Sequence, residues 1–456
     1  MKKLLCMSTA VLMVSTPMFA GGLLTNTNQH ASFLRMLSRG ATTDIDAAIS
    51  NPAGLSFSDH EGFQLGVSIQ SAYQTRNIDA SFYTYEGLTA SMTPQISAQP
   101  YQKYYKGSAA APVIPSLFGA YQKGDWTVSG YFGITGGGGK ASFDDGLPMF
   151  ESLAMAGIFQ SSVANYVSTG GQSPILNSQY YDIQSAMEGR QYIYALQLGL
   201  SYKINDYLSA FAGGRMNYFS GGYKGYLNAS MKEAFGGAEL MNLELDCNQT
   251  GWGLTPVLGI YGRYGKWSLG AKYEFKTNLN IENDTKKNTD PDGALSDFKH
   301  GVNTPSDIPS LLSVAVGYKF IPTLRASVEY HFYNDKSAGM ANNKQQYLTK
   351  GTNEWLAGLE WDAISRLTLS CGVQFTDYGL SDSYQSDTSF SCDSYSLGFG
   401  AKLRLTEKMD VNVGYMWTNY DDYTKTVDNY NGTGLPGTNV YSRTNKVFGL
   451  SVDYRF

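Results

Sequence analysis

The feature that most constrains this chain is a two-residue alternation of apolar and polar side chains that recurs to its last residue. At the C-terminus Phe448, Leu450, Val452, Tyr454 and Phe456 alternate with Gly449, Ser451, Asp453 and Arg455. Successive side chains of a strand point to opposite faces, so this pattern predicts a strand with one greasy and one polar face. The same rhythm runs through Val411, Val413, Tyr415 and Trp417, through Tyr395, Leu397, Phe399, Ala401 and Leu403, and through Leu324, Ala326, Val328, Tyr330 and Phe332. Leu312 to Phe320 and Tyr192 to Tyr202 repeat it. A soluble sandwich also alternates, but its outward faces are richly charged. Here the polar faces carry mostly Gly, Ser, Thr and Gln, which suits a wet or filled lumen behind a lipid-facing wall.

Connection lengths alternate as well. Short turns fall at Gly124-Asp125, Asn205-Asp206, Gly265-Lys266, Ile321-Pro322, Ile364 to Arg366 and Thr406-Glu407. Long polar stretches near 76–112, 136–190, 221–250, 280–308, 334–352, 377–391 and 419–444 read as loops on the other side. Strands between them number about 14, an even count that lets a single-chain antiparallel β-barrel close with both ends on the short-turn side. The fold class expected is therefore an all-β transmembrane barrel.

Composition supports a barrel over the two or three soluble domains that 456 residues would otherwise suggest. There are 34 Tyr, 22 Phe and 50 Gly, but only 14 Pro and 16% charged residues. Apolar positions diluted one-to-one by polar ones keep the average hydropathy low even in a membrane wall. The net charge of −5 gives no reason to expect nucleic acid as a partner. Met1, Lys2 and Lys3, an apolar run from Leu4 to Val14, and Ala20 before Gly21 form the pattern of a cleaved secretory signal, too short to span a bilayer. Residues 1–20 are assigned to it, 21–60 to a separate N-terminal segment and 61–456 to the barrel. After removal of Cys6 with the signal, Cys247, Cys371 and Cys392 remain. Cys247 and Cys392 either pair near the loop bases or stay reduced.

Residues 21–60 break the alternation. Ala31 to Leu37 and Asp44 to Ile49 each suit a turn or two of helix, and Asn51-Pro52-Ala53-Gly54-Leu55 ends the second, since Pro52 lacks an amide donor and Gly54 permits a tight turn. A non-strand segment of this size ahead of a barrel fits inside the lumen.

With Ser38-Arg39-Gly40-Ala41-Thr42, the run Asp44 to Ile49 and Asn51-Pro52-Ala53-Gly54-Leu55 ahead of the first strand, and a terminal Phe456 after about 14 strands, the chain resembles the FadL family. That family comprises outer-membrane transporters of long-chain fatty acids and carriers of aromatic hydrocarbons. The resemblance implies residence in the bacterial outer membrane and a 14-stranded barrel closed by an N-terminal hatch. It also implies an outer hydrophobic groove and lateral exit at a kinked third strand. The partners it implies are a hydrophobic ligand (fatty acid or aromatic compound), outer-membrane lipid and the barrel assembly machinery, with the protein a monomer.

Candidate sites follow from residues and resemblance together. The hatch motif is Asn51, Pro52, Ala53 and Gly54. Gly136, Gly137, Gly138 and Gly139 end the third strand; glycine weakens pairing and permits bulges, so the tract is either the kink or a flexible loop base. We expect the Asn51-Pro52-Ala53 turn to lie beside it. Leu147, Phe150, Leu153, Ile158 and Phe159 form a helix-like apolar stretch that either lines the outer groove or packs on itself. Among lumen-facing cations, mid-strand Arg215 and Lys272 are chosen to hold a ligand carboxylate, against the simpler alternative that lumen cations pair with acids such as Glu274 or Glu329.

Other function classes fit the residues less well. A general water-filled porin would not need 21–60 as a plug, and a haem-binding receptor would need a distinguished histidine. His30, His60, His300 and His331 are the only histidines, and none sits in a nucleophile or metal motif, so no enzyme, catalytic residue, metal site or cofactor is expected.

Overall fold

The computed structural model describes residues 28–88 and 95–456; the expected signal peptide and residues 21–27 lie outside the described residues. The strands are β1 (Gly62–Leu88), β2 (Gln95–Lys123), β3 (Trp126–Phe143), β4 (Tyr181–Lys203), β5 (Leu208–Met231) and β6 (Glu239–Tyr264). Then come β7 (Trp267–Glu274), β8 (Asn280–Asn288), β9 (Asn303–Pro305), β10 (Leu311–Ile321), β11 (Leu324–Tyr333) and β12 (Thr352–Ile364). The chain finishes with β13 (Leu367–Asp377), β14 (Ser394–Thr406), β15 (Met409–Tyr420), β16 (Tyr423–Val427) and β17 (Gly437–Arg455). All belong to one antiparallel sheet that closes where β17 pairs with β1, from Gln64 opposite Arg455 to Phe82 opposite Gly437. β8, β9 and β16 are excursions on the long-loop side, and fourteen strands make the ring. The six short turns fall where the sequence places them.

The alternation sorts side chains between the two faces as expected. On β17, Phe448 and Leu450 are about half-exposed on the outside while Ser451 points in and is buried. Cys371 lies on the outer face of β13, and Cys247 and Cys392 are buried and unpaired in disulfide terms. Among the described residues no helix is long and apolar enough to cross a membrane, which says nothing against crossing by strands.

The wall is taller than expected on one side. β1 and β2 have 27 and 29 residues, where about 9–11 suffice to cross a membrane at a tilt. The stretches 76–112 and 221–250, predicted as loops, are mostly paired strand: Arg76 faces Gly107, and Gly222 faces Asn248. Above the lipid both faces of a strand meet water or loops, so hydrophobic contrast fades while backbone pairing continues.

Residues 28–57 fold inside the ring and are almost wholly buried. They comprise α1 (Ala31–Arg35), α2 (Ala47–Ser50) and a 3₁₀ turn, Pro52–Phe57, with Pro52 at its first position, where no donor is missed. His30 caps α1: its Nδ1 accepts from Ser32 N at 3.2 Å while Nε2 donates to Asp453 Oδ1 of β17 at 2.8 Å. Arg39 bonds Asp46 (Nε, 2.9 Å) and Asp44 (Nη2, 2.8 Å), and Arg35 reaches Glu360 of β12. Glu329 of β11 accepts the backbone amides of Arg39 (2.7 Å) and Gly40 (2.8 Å). A Cβ on residue 40 would lie 2.5 Å from a Glu329 oxygen, so this approach requires glycine. On the long-loop side, α3 (Pro148–Ser168) and the loops pack an apolar lid over the mouth, with Phe82 stacked on Tyr430 at 4.9 Å.

Candidate functional site

The wall is broken between β2 and β3. The two strands pair from Lys123–Trp126 to Leu117–Phe132, then lose register until Ala110 meets Lys140, leaving 111–116 and 133–139 unpaired with each other although they still pair with β1 and β4. Both strands contribute. Pro112 and Pro115 on β2 have no amide hydrogen to give a ladder. On β3, the register against β4 slips between Ile134 and Gly136 and again between Gly137 and Gly139. Gly137 sits at φ +72°, and a Cβ there would lie 2.0 Å from the Gln191 carbonyl, so this bulge requires glycine. Of the two readings of Gly136–Gly139, the geometry is that of a bulged strand rather than a loop base. Pro112 and Pro115, in a stretch expected to be loop, are the sequence signal of the break on the β2 side.

The expected neighbour of the break is displaced. Asn51 donates its side-chain amide to Ile260 O of β6 at 2.9 Å, Ser201 of β4 donates to Pro52 O at 2.9 Å, and Ser209 of β5 donates to Ala53 O at 2.6 Å. Gly54 lies against Thr42, where a Cβ would come within 2.3 Å of its carbonyl. The motif thus ties the interior segment to β4–β6, because its free carbonyls find serines there. The group at the break is Gln29: its Oε1 accepts Ile134 N at 3.0 Å and its backbone O accepts Ser116 Oγ at 3.3 Å, one partner on each edge.

Above the interior segment lies a cavity of about 230 Å³. Phe33 and Leu34 of α1 form its floor, Leu147, Met187 and Phe390 part of its sides, and Ala110, Ile114, Gly137 and Gly139 open it toward the break. Its charged residues are Arg76 and Arg443, cross-strand partners on β1 and β17. Both lie in stretches expected to be loops, outside the alternation that marks a lumen-facing cation.

Arg215 and Lys272 do not serve that role. Glu274 of β7 is bonded by Arg215 Nη2 and by Lys272 Nζ (2.7 Å), and Lys272 also donates to Ile49 O at 2.8 Å. Glu274 already supplies the carboxylate, and neither cation lines the 230 Å³ cavity. The simpler alternative, pairing with lumen acids, describes them.

The apolar stretch divides. Leu147, Ile158 and Phe159 are buried in the loop core, Phe159 stacked on Tyr85 at 5.2 Å. Leu147 lines the cavity, Phe150 lines a separate apolar recess with Tyr223, Leu227 and Leu295, and Leu153 is half-buried. They form no single exposed groove, because α3 is pinned down by its first turn: buried Glu151 accepts from Tyr105 OH (2.8 Å) and is paired with Lys103 of β2.

A closed fourteen-stranded barrel, filled by its own N-terminal segment and broken in one wall beside a cavity, defines an architectural class. Among solved structures the chain is similar to a Pseudomonas aeruginosa FadL homologue, with TM-score 0.65 and 14% identity over 96% of this chain and all of the other. It is also similar to the toluene transporters TodX of P. putida (TM-score 0.52, 13% identity, 91% of this chain and 95% of that one) and TbuX of Ralstonia pickettii (0.55, 13%, 94% and 99%). A family model described as "outer membrane protein beta-barrel domain" matches residues 292–456. No curated protein matches in sequence. The resemblance read from the sequence therefore holds at the level of fold.

Proposed function

We propose that this chain is a FadL-type channel of the bacterial outer membrane that takes up hydrophobic small molecules, with long-chain fatty acids the class its cavity suits best. Residues 28–57 act as its hatch and, filling the lumen, leave little room for a general porin. A ligand captured among the outer loops settles in the 230 Å³ cavity, its tail against Phe33, Ile114 and Phe390 and its acid group toward Arg76 and Arg443. It leaves sideways between β2 and β3. An apolar solute gains about 25 cal/mol per Å² by leaving water, and lateral exit into the bilayer keeps that gain where passage down a wet lumen would not.

The observation that carries the proposal is the continuity of the cavity with the β2–β3 break. Unpaired backbone facing lipid costs several kcal/mol per group, so a break is kept only where something else satisfies it; Gln29 does so for the Ile134 amide. Aromatic hydrocarbons, the cargo named for two of the similar structures, are the second reading; a pair of cavity arginines favours the acid.

Replacing Gly136, Gly137 and Gly138 with Val removes the bulge conformation at φ +72°. We expect a barrel that still shows heat-resistant migration and has lost uptake of a labelled fatty acid. Wild-type uptake by this variant would make passage through the lumen the better account.

A further inference from the structure

Arg76 and Arg443 stand side by side, and among the described residues neither is in an ion pair. They share one acceptor. The backbone carbonyl of Phe390 takes Arg76 Nη2 at 3.2 Å and Arg443 Nη1 at 3.4 Å. Arg443 Nη2 reaches Gln74 Oε1 only at 3.5 Å, and its Nε is buried with no partner. Arg443 is buried and Arg76 partly buried, and each guanidinium also lies over a ring, Arg76 over Phe390 and Arg443 over Tyr420. Two adjacent guanidiniums with one shared neutral acceptor still form an unneutralised positive pair, an arrangement that is costly unless an anion completes it.

The carbonyl belongs to a loop segment that walls the cavity at Thr388 to Ser391. Ser391 is clipped to Gln385 by two bonds, Gln385 Nε2 to Ser391 O at 2.6 Å and Ser391 N to Gln385 Oε1 at 3.1 Å. The Phe390 ring lies 4.6 Å from the Arg76 guanidinium, measured to its centroid, and stacks on Tyr441 at 4.7 Å. The ring and the carbonyl of Phe390 are thus both engaged by the arginines and by Tyr441 on the strand of Arg443.

We propose that Phe390 is a placeholder that makes the cavity selective for amphipathic anions. The ligand's acid group replaces the Phe390 carbonyl on both arginines, and the Ser389–Ser391 segment swings away to admit it. Charge-assisted bonds are roughly twice as strong as those to a neutral acceptor, so a carboxylate displaces the carbonyl. An alcohol or hydrocarbon of equal length offers no charge and leaves the segment closed. The proposal rests on the cavity being the ligand site.

The test is hydrogen exchange of peptides covering 385–392 in the full chain reconstituted in nanodiscs, free and with dodecanoate or 1-dodecanol, with binding of each measured in the same preparation. Dodecanoate should bind at least about tenfold tighter than the alcohol and speed exchange of 385–392 several-fold; bound alcohol should not. In Arg76→Gln/Arg443→Gln the segment should exchange fast without ligand, and the preference for the acid should vanish. Tight dodecanoate binding with unchanged exchange at 385–392 would overturn the placeholder and leave the channel function standing. Equal acceleration by bound dodecanol would overturn it too. Binding of neither compound would overturn both.

Discussion

The side-chain oxygen of Gln29 takes the amide hydrogen of Ile134 at 3.0 Å, at the point where β3 has lost β2. With the Ser116 bond on the opposite edge, this makes the first described residues of the interior segment a stitch across the break. The remainder of the segment is held elsewhere, by Glu329, Lys272 and Asp453. Gln29→Ala should therefore loosen the break alone. We expect unchanged heat-resistant migration and a faster initial rate of labelled fatty-acid uptake; a rate equal to wild type would remove Gln29 from any gating role.

Glu274 neutralises Arg215 and Lys272 in the interior. Removing the acid from a buried cluster leaves charges uncompensated, which costs about 3–5 kcal/mol. Glu274→Gln should lower the urea midpoint of the folded barrel by an amount of that order. Arg215→Gln should leave dodecanoate affinity unchanged, and a large loss of affinity would restore Arg215 as a ligand contact.

On the long-loop side, Asp335 is buried and accepts the amide of Thr352 at 2.7 Å. Burial raises its pKa from 3.8 to about 6, against the opposing effect of the Thr352 bonds. Because the folded-state value lies above the unfolded one, the stabilising contribution of the protonated form is full below about pH 4 and is lost as pH rises through about 6. Asp335→Asn should match wild type in unfolding midpoint near pH 4 and exceed it at pH 8, by up to about 2–3 kcal/mol at 1.36 kcal/mol per pH unit. A mutant advantage that is constant across this range would show that ionisation of Asp335 is not the cause.

The orientation proposed for the channel places 280–308 outside the cell and the turn at Gly265-Lys266 in the periplasm. Lys286, Lys287 and Lys299 are exposed in the former, as is Lys266 in the latter. Trypsin added to intact cells should cut at the first three and spare Lys266. Cutting at Lys266 in intact cells would invert the orientation.

The sequence by itself determined the wall. Alternation such as Phe448 to Phe456 assigns each side chain a face, because a strand has a period of two and one face must meet lipid, and Gly, Pro or Asn marks four of the six short turns. It also set the residues around Asn51-Pro52-Ala53-Gly54 apart from the wall, and among the described residues 28–57 do lie inside it. What tertiary structure decided is which polar groups meet. Glu274, not a ligand, lies between Arg215 and Lys272; the Asn51 motif ties to Ser201 and Ser209, and Gln29, which no local pattern marks, reaches the break. Arg76 and Arg443 are 367 residues apart and become neighbours only because β1 and β17 close the ring. They lie above the lipid, where the faces of a strand meet loops or the cavity rather than bilayer, so the alternation that reveals the wall is silent about them, and only closure brings two cations to one cavity.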